Sequence, residues 1–300
     1  MDERVKKHYI IISMVICAIC LLTIGCSADN SMDVGSDSRF NISKDITIVS
    51  REGGSGTRGA FIELFGVEVR MDDGSRRDQT VKDSIIANKT DVMLRNIASD
   101  IYAIGYVSIG ALNDSIKALP INGVNATEVN VSNGSYTVTR PFNIAFQNNL
   151  SDTSQDFVNF ILSAEGQGII GRSYVAVDNR APAYSSQGVE GNIAIAGSSS
   201  VTPIMERLVA AYISLNPNVT INIDMTDSGA GMTAAIEGTC DIGMASRDLR
   251  DGEKAVLEWT TIAIDGIAVI VNPINSINGL TTEQVRRIFT GELTNWNNIE

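Results

Sequence analysis

The chain is 300 residues long, 44% hydrophobic and acidic, with 35 Asp and Glu against 23 Lys and Arg for a formal net charge of −12. That length supports one or two α/β domains with a substantial core, and the acidity excludes a basic stripe matched to a nucleic-acid backbone. The one histidine, His8, lies near the N-terminus, so the folded part lacks the base of Ser-His-Asp and Cys-His chemistry and a His ligand for metal; no enzyme, cofactor or metal is expected.

Arg4, Lys6 and Lys7 precede an apolar run from Tyr9 to Ile24 that ends at Gly25-Cys26. Residues 1–26 therefore read as a secretory signal. Leu22-Thr23-Ile24-Gly25-Cys26 resembles a bacterial lipobox, in which Cys26 takes the lipid and becomes the mature N-terminus; an uncleaved membrane anchor is the alternative. Both place the folded part outside the cytoplasm, held at the cell membrane, where each buried lipid methylene contributes about 0.8 kcal/mol. Residues 27–44, rich in Ser, Asp, Asn and Gly, read as a flexible tether. Cys17 and Cys20 fall in the apolar run, so Cys240 remains alone and no internal disulfide forms; its apolar setting suits a small buried residue.

Ile46-Thr47-Ile48-Val49-Ser50 alternates and is β-branched, which predicts a strand. Arg51-Glu52-Gly53-Gly54-Ser55-Gly56-Thr57 follows directly, and Phe61, Leu64 and Phe65 then fall on one helical face. Glycines let backbone N–H groups turn inward, the new helix offers unpaired N–H groups, the hydroxyls add donors, and Arg51 adds a fixed fork of charge. Such a loop suits a tetrahedral oxyanion. A second unit begins with the strand Ile193–Ala196, passes through Gly197-Ser198-Ser199-Ser200, and enters a helix with Pro203 in its first turn. Its apolar face is Ile204, Leu208, Ala211, Tyr212 and Leu215. The third unit runs from the alternating strand Val219–Met225 through Asp227-Ser228-Gly229-Ala230-Gly231 into the helical Met232–Glu237. Three such units can aim three helix N-termini at one point, although each serine could instead serve as an N-cap.

Arg51–Thr57, Gly197–Pro203 and Asp227–Gly231 together resemble the phosphate-binding proteins of bacterial ABC phosphate importers. Glu237–Arg247, Ile264–Pro273 and Phe289–Trp296 add to the resemblance, which covers nearly everything from Asp45 to Glu300. The order of the parts is unusual for that family, because the segment like Gly191–Asn298 normally comes first. A circular permutation explains the order, with Ala181–Gly188 as the joint between old ends; a truncated tandem protein is the alternative. The resemblance implies a two-lobe α/β fold of the periplasmic-binding-protein type, with the ligand in the interlobe cleft. Lobe two would comprise 45–139 plus 273–300 and lobe one 140–272, with crossovers near Arg140-Pro141 and Asn272-Pro273.

The resemblance further implies that Arg51, Ser55, Gly56 and Thr57 bind the anion from lobe two, and Ser199, Ser200, Ser228 and Ser246 from lobe one. Several members carry Ala-Ser-Asp where this chain has Ala245-Ser246-Arg247, and that Asp accepts the proton of hydrogen phosphate. Asp265 is the expected replacement and Asp227 the second candidate; without an acceptor, discrimination against sulfate loses roughly 1–3 kcal/mol. Arg247 adds a second charge to the cleft or, as favoured here, pairs with Asp248 or Glu253 on the surface. The implied function is capture of inorganic phosphate by a monomeric, lipid-anchored protein and delivery to an ABC permease by hinge closure. A receptor for a wider range of oxyanions, or a phosphate sensor or scavenger, is the alternative.

Overall fold

The computed structural model describes residues 39–71 and 75–299. The signal, Cys26 and residues 27–38 of the expected tether lie outside them. The last tether residues are not loose. Phe40 packs on Tyr102 and Trp296 with ring centroids 5.6 and 5.8 Å apart, the Trp296 N–H donates to the Lys44 carbonyl at 3.2 Å, and Asn295 Nδ2 donates to the Ser43 carbonyl at 2.9 Å. Partners from the far end of the chain order a segment whose composition reads as flexible.

In chain order the strands are β1 (Thr47–Arg51), β2 (Glu68–Arg70), β3 (Arg76–Asp78), β4 (Ile85–Ala87), β5 (Ala103–Ser108), β6 (Lys117–Leu119), β7 (Thr139–Phe146), β8 (Val175–Ala176), β9 (Gly191–Ser198), β10 (Val219–Thr226), β11 (Ile242–Ala245) and β12 (Glu258–Val271). The helices are α1 (Gly56–Leu64), α2 (Thr90–Ser99), α3 (Glu128–Ser132), α4 (Asp152–Ile161), α5 (Ala164–Ile170), α6 (Thr202–Leu215), α7 (Ser228–Glu237), α8 (Asp251–Lys254) and α9 (Thr282–Phe289). The main sheet runs β10-β9-β11-β7-β12-β5-β1-β4, with β6 and β8 also on β12. β1 pairs parallel with β4 and β5, and β9 pairs parallel with β10 and β11. Strands buried on both faces read as unbroken apolar runs, as β5 does, whereas the edge strand β10 alternates half-buried and exposed positions after the buried Val219.

Three bodies of apolar side chains form among the described residues: two large ones, and a small one around Met232, Cys240, Leu249 and Leu257. The first gathers residues from Ile48 to Val138 with Ile267–Val271 and Leu280–Trp296; the second runs from Phe142 to Ala263. Core membership therefore changes over between Val138, just before β7, and Phe142 on it, and between Ala263 and Ile267 on β12. The second point precedes the expected Asn272-Pro273, because β12 is one strand of 14 residues that continues through both lobes. Pro273 marks its end.

Phe61 anchors α1. It stacks on Tyr106 at 3.8 Å and meets Phe289 edge-on at 4.6 Å, and burial of such a ring contributes about 2–3 kcal/mol. Two residues of the expected helix faces lie outside them: Leu64 is 37% exposed and Leu215, at the last position of α6, is 50% exposed. The parallel strands β1, β4, β9, β10 and β11 all direct their carboxyl ends, at Arg51, Ala87, Ser198, Thr226 and Ala245, into the seam between the lobes. Open α/β sheets hold ligands at such ends.

Candidate anion-binding cleft

The lobe-two wall is the turn that leaves β1. The Arg51 N–H donates to the Tyr106 hydroxyl at 3.1 Å, and that hydroxyl also bonds Ser50 Oγ at 2.9 Å. Burial raises the Tyr106 phenol above its ordinary value, so it stays protonated. The Arg51 side chain is 3% exposed. Its Nε donates to Glu52 Oε2 and the Ala87 carbonyl at 2.8 and 3.2 Å; its Nη2 donates to Glu52 Oε1 at 2.8 Å and, across the cleft, to Ser199 Oγ at 3.0 Å. Arg58 braces the turn by donating from Nη1 to the Arg51 carbonyl and from Nε to Asp78 at 2.8 Å. Ser55 is the N-cap of α1, accepting from the Arg58 N–H at 3.2 Å. The cap uses an oxygen lone pair and leaves the hydroxyl proton to be donated.

The lobe-one wall is built of hydroxyls. Ser246, just past β11, sits at its hub: its N–H donates to Ser228 Oγ at 3.1 Å and its Oγ accepts from Ser198 Oγ at 2.9 Å. Ser228 opens α7 and is fully buried, while Asp227 caps that helix by accepting from the Ala230 N–H at 2.9 Å. Ser200 Oγ bonds Thr57 Oγ1 at 2.8 Å across the seam, and Thr90 Oγ1 lies 3.3 and 3.4 Å from the hydroxyls of Ser199 and Ser200. Two glycines let the walls meet. A Cβ at Gly56 would lie 2.4 Å from Ser228 Oγ and 2.7 Å from Ser246 Oγ, and one at Gly54 would strike the Asp227 carboxylate. The Gly229 N–H donates to the Gly54 carbonyl at 3.1 Å.

The structure thus brings Arg51, Ser55, Gly56, Thr57, Ser199, Ser200, Ser228 and Ser246 to one seam. Asp265 stands apart from it. This residue is wholly buried on β12, with Oδ1 accepting from Ser108 at 2.7 Å and Oδ2 from Arg140 at 2.9 and 3.0 Å. Both oxygens being engaged, it reaches the site only through Arg140, whose Nη1 donates to the Ser246 carbonyl at 3.1 Å. Burial raises the Asp265 carboxyl above its ordinary value and lowers Arg140. Arg247 does pair with Glu253, at 2.7 and 2.8 Å, but the residue is 8% exposed and not on the open surface.

Arg140, Ser198, Thr90 and Tyr106 escape sequence reasoning. A signal for Arg140 exists: one cation in the apolar run Thr139–Phe146 and one anion in Ile262–Val271 must find each other if both strands are buried. The four guanidiniums around the cleft are each matched, Arg51 by Glu52, Arg58 by Asp78, Arg140 by Asp265 and Arg247 by Glu253. What the seam offers an anion is therefore donor geometry and helix N-termini, with no unmatched guanidinium among these four. Among the described residues no group of three or more His, Cys, Asp and Glu could hold a metal ion, and no helix is long and apolar enough to cross a membrane.

Comparison with known proteins finds relatives over nearly the whole chain. The family model of the PBP superfamily domain matches residues 182–299. The phosphate-binding protein PstS 2 of Streptococcus agalactiae is 44% identical over 297 residues, 98% of this chain and 99% of that protein. The crystal structure of a phosphate ABC transporter phosphate-binding protein from Streptococcus pneumoniae covers 86% of this chain and 100% of that one, at 41% identity and a TM-score of 0.69. The phosphate-binding protein PstS of Pseudomonas aeruginosa is 34% identical over 124 residues, 38% of each chain.

Proposed function

Because the chain belongs to the PstS-type phosphate-binding proteins, we propose that it captures inorganic phosphate in this cleft and delivers it to a membrane ABC importer. One observation carries the reading: a buried guanidinium and hydroxyls from five separate segments converge at the carboxyl ends of parallel strands. A tetrahedral oxyanion accepts hydrogen bonds on every side, and only a closed shell of donors satisfies it. The ligand set is Arg51, Ser55, Gly56 and Thr57 from lobe two, with Ser199, Ser200, Ser228 and Ser246 from lobe one; Asp265 serves it from behind. Bonds from both lobes exist only when the lobes meet, so ligand binding favours closure by rotation about β7 and β12, and the closed form is what the permease receives. No chemistry on the ligand is required, and the relatives are named as binding proteins.

The protein acts outside the cytoplasm as a monomer, anchored through a lipid on Cys26. Its segment order is a circular permutation of the common one. Two observations support that order: the Asp45 and Asn295 backbones bridge, so the ends of the fold lie side by side, and the Pseudomonas aeruginosa relative aligns over little more than a third of each chain.

A second reading, a receptor for a wider range of oxyanions, is favoured by the engagement of both Asp265 oxygens, which leaves the ligand proton without its expected acceptor. Calorimetric titration of the purified protein with phosphate, and separately with sulfate, at pH 6 and pH 8 decides between them. Tight phosphate binding with sulfate ignored supports importer delivery; equal binding of both supports the wider receptor; binding of neither removes both.

A further inference from the structure

We propose that Arg140 is a positioning residue of the cleft: its bond to the Ser246 carbonyl holds the Ser198–Ser246–Ser228 hydroxyl cluster in place, and Asp265 is the counter-charge that aims it. The affinity part of this proposal rests on the phosphate reading above. Arg140 and Asp265 are directly opposed residues of β7 and β12, at the point where the chain passes between lobes. Their side chains are 1% and 0% exposed. Asp265 Oδ2 takes both Nε and Nη2 of Arg140, which uses one edge of the guanidinium and turns Nη1 toward Ser246. The Arg140 plane also sits 5.3 Å over the Phe142 ring. On the other side, Asp265 Oδ1 is held by Ser108 of β5. A continuous chain of bonds, Ser108–Asp265–Arg140–Ser246, therefore runs from the lobe-two sheet to the lobe-one wall of the cleft.

Stability alone does not account for the pair. A buried ion pair is commonly no better than apolar groups of the same volume, and here burial disfavours the charged form of both partners. The geometry is specific to a fork: a lysine ammonium cannot grip one carboxylate oxygen with two donors and send a third to a carbonyl on another strand. Ser246 in turn supports two other serines, through its N–H to Ser228 and its Oγ from Ser198. Freeing its carbonyl lets three hydroxyls drift together.

The test uses the double variant Arg140→Met/Asp265→Leu, which replaces the pair by apolar volume where either single removal strands a buried charge. Arg140→Lys keeps the charge without the fork. Three quantities are measured on the whole protein: melting temperature, phosphate affinity with its dissociation rate, and hydrogen exchange of the Ser246 amide with no phosphate added. The double variant is expected to melt within a few degrees of wild type, to bind phosphate about tenfold more weakly through faster dissociation, and to exchange the Ser246 amide about tenfold faster. Arg140→Lys rescues neither the affinity nor the protection. Wild-type affinity together with wild-type protection in the double variant makes the pair merely structural and overturns the proposal. If the double variant does not fold, Arg140→Gln/Asp265→Asn, which removes both charges together and keeps polar groups of similar shape, is expected to show the same shifts at about threefold; their absence there overturns the proposal too. Should wild-type protein fail to bind phosphate, the functional reading falls and exchange at Ser246 alone decides the positioning role.

Discussion

On the lobe-two side of the cleft Arg51 reaches over the seam to Ser199, whereas on the lobe-one side Arg140 and Arg247 turn back into bonds with Asp265 and Glu253 and leave serines to meet it. One wall brings charge and the other brings only hydroxyls and helix N-termini. The charged wall is pinned from its own lobe, through Tyr106, Ala87 and Glu52; on the neutral wall Ser198, Ser200, Ser228 and Ser246 hold one another. The contrast separates two tasks. Under the proposed function one guanidinium, itself matched by Glu52, would supply the charge-assisted donor, and discrimination between anions would follow from how many donors lie where the oxygens of the ligand fall.

The strongest way to break the contrast is at the charged wall. Arg51→Ala is expected to cost about 3–4 kcal/mol of phosphate binding, on the order of 10²–10³-fold, with little change in melting temperature. Phosphate binding like that of wild type by calorimetry sinks the assignment of the charged wall. Next comes Gly56→Ala, whose Cβ would meet Ser228 and Ser246 at 2.4 and 2.7 Å. Alanine suits a first helical turn, so lobe two stays intact while the walls are held apart. We expect at least about tenfold weaker binding, and small-angle scattering that no longer contracts on adding phosphate.

Coupling between the walls is smaller and is read by a double-mutant cycle on Thr57→Val and Ser200→Ala. Their 2.8 Å bond predicts a coupling of about 0.5–1.5 kcal/mol in phosphate affinity; additive losses would show that the two hydroxyls act separately. The smallest effect on binding is expected at Glu253. Burial works against its ionised form, but hydrogen bonds from Arg247 and the Arg250 N–H outweigh burial and hold its carboxyl below the ordinary glutamate value. The stability this contributes is present above the unfolded glutamate value and is lost as pH falls through the lowered folded one. Glu253→Gln should therefore lower the unfolding free energy at pH 7, read by denaturant titration, by about 1–2 kcal/mol, converge with wild type in acid, and leave phosphate affinity unchanged. A change in affinity would bring Arg247 into the cleft after all.

The parts of the fold that can be read from sequence are those whose reasons are local. β1, β9 and β10 announce themselves by alternation, and the Ser/Gly turns after them by composition, because strand, turn and helix start are consecutive in the chain. What escapes is set by partners remote in sequence. Residues 40–44 read as tether because Trp296, their anchor, lies at the other end of the chain. Asp265 reads as a ligand residue because its partner Arg140 is opposed to it only by the register of β7 on β12. Leu64 and Leu215 satisfy helical periodicity yet stand at helix ends, where no neighbouring layer reaches them. The exchange between lobes is hidden for a similar reason: nothing in the composition of a strand says that its two halves belong to different cores.

The seating of Phe40 on Trp296, and of Val285, Ile288 and Phe289 in the first core, also sets an order in time. Domains ordinarily fold as they are synthesised, the earliest residues first. Here the residues of lobe one follow one another without interruption from Phe142 to Ala263, and all of them exist before α9 is made. β1 emerges early, but α9 and the Thr294 carbonyl that receives the Ile46 N–H come last. The half of the molecule that begins the chain is the half that is completed last.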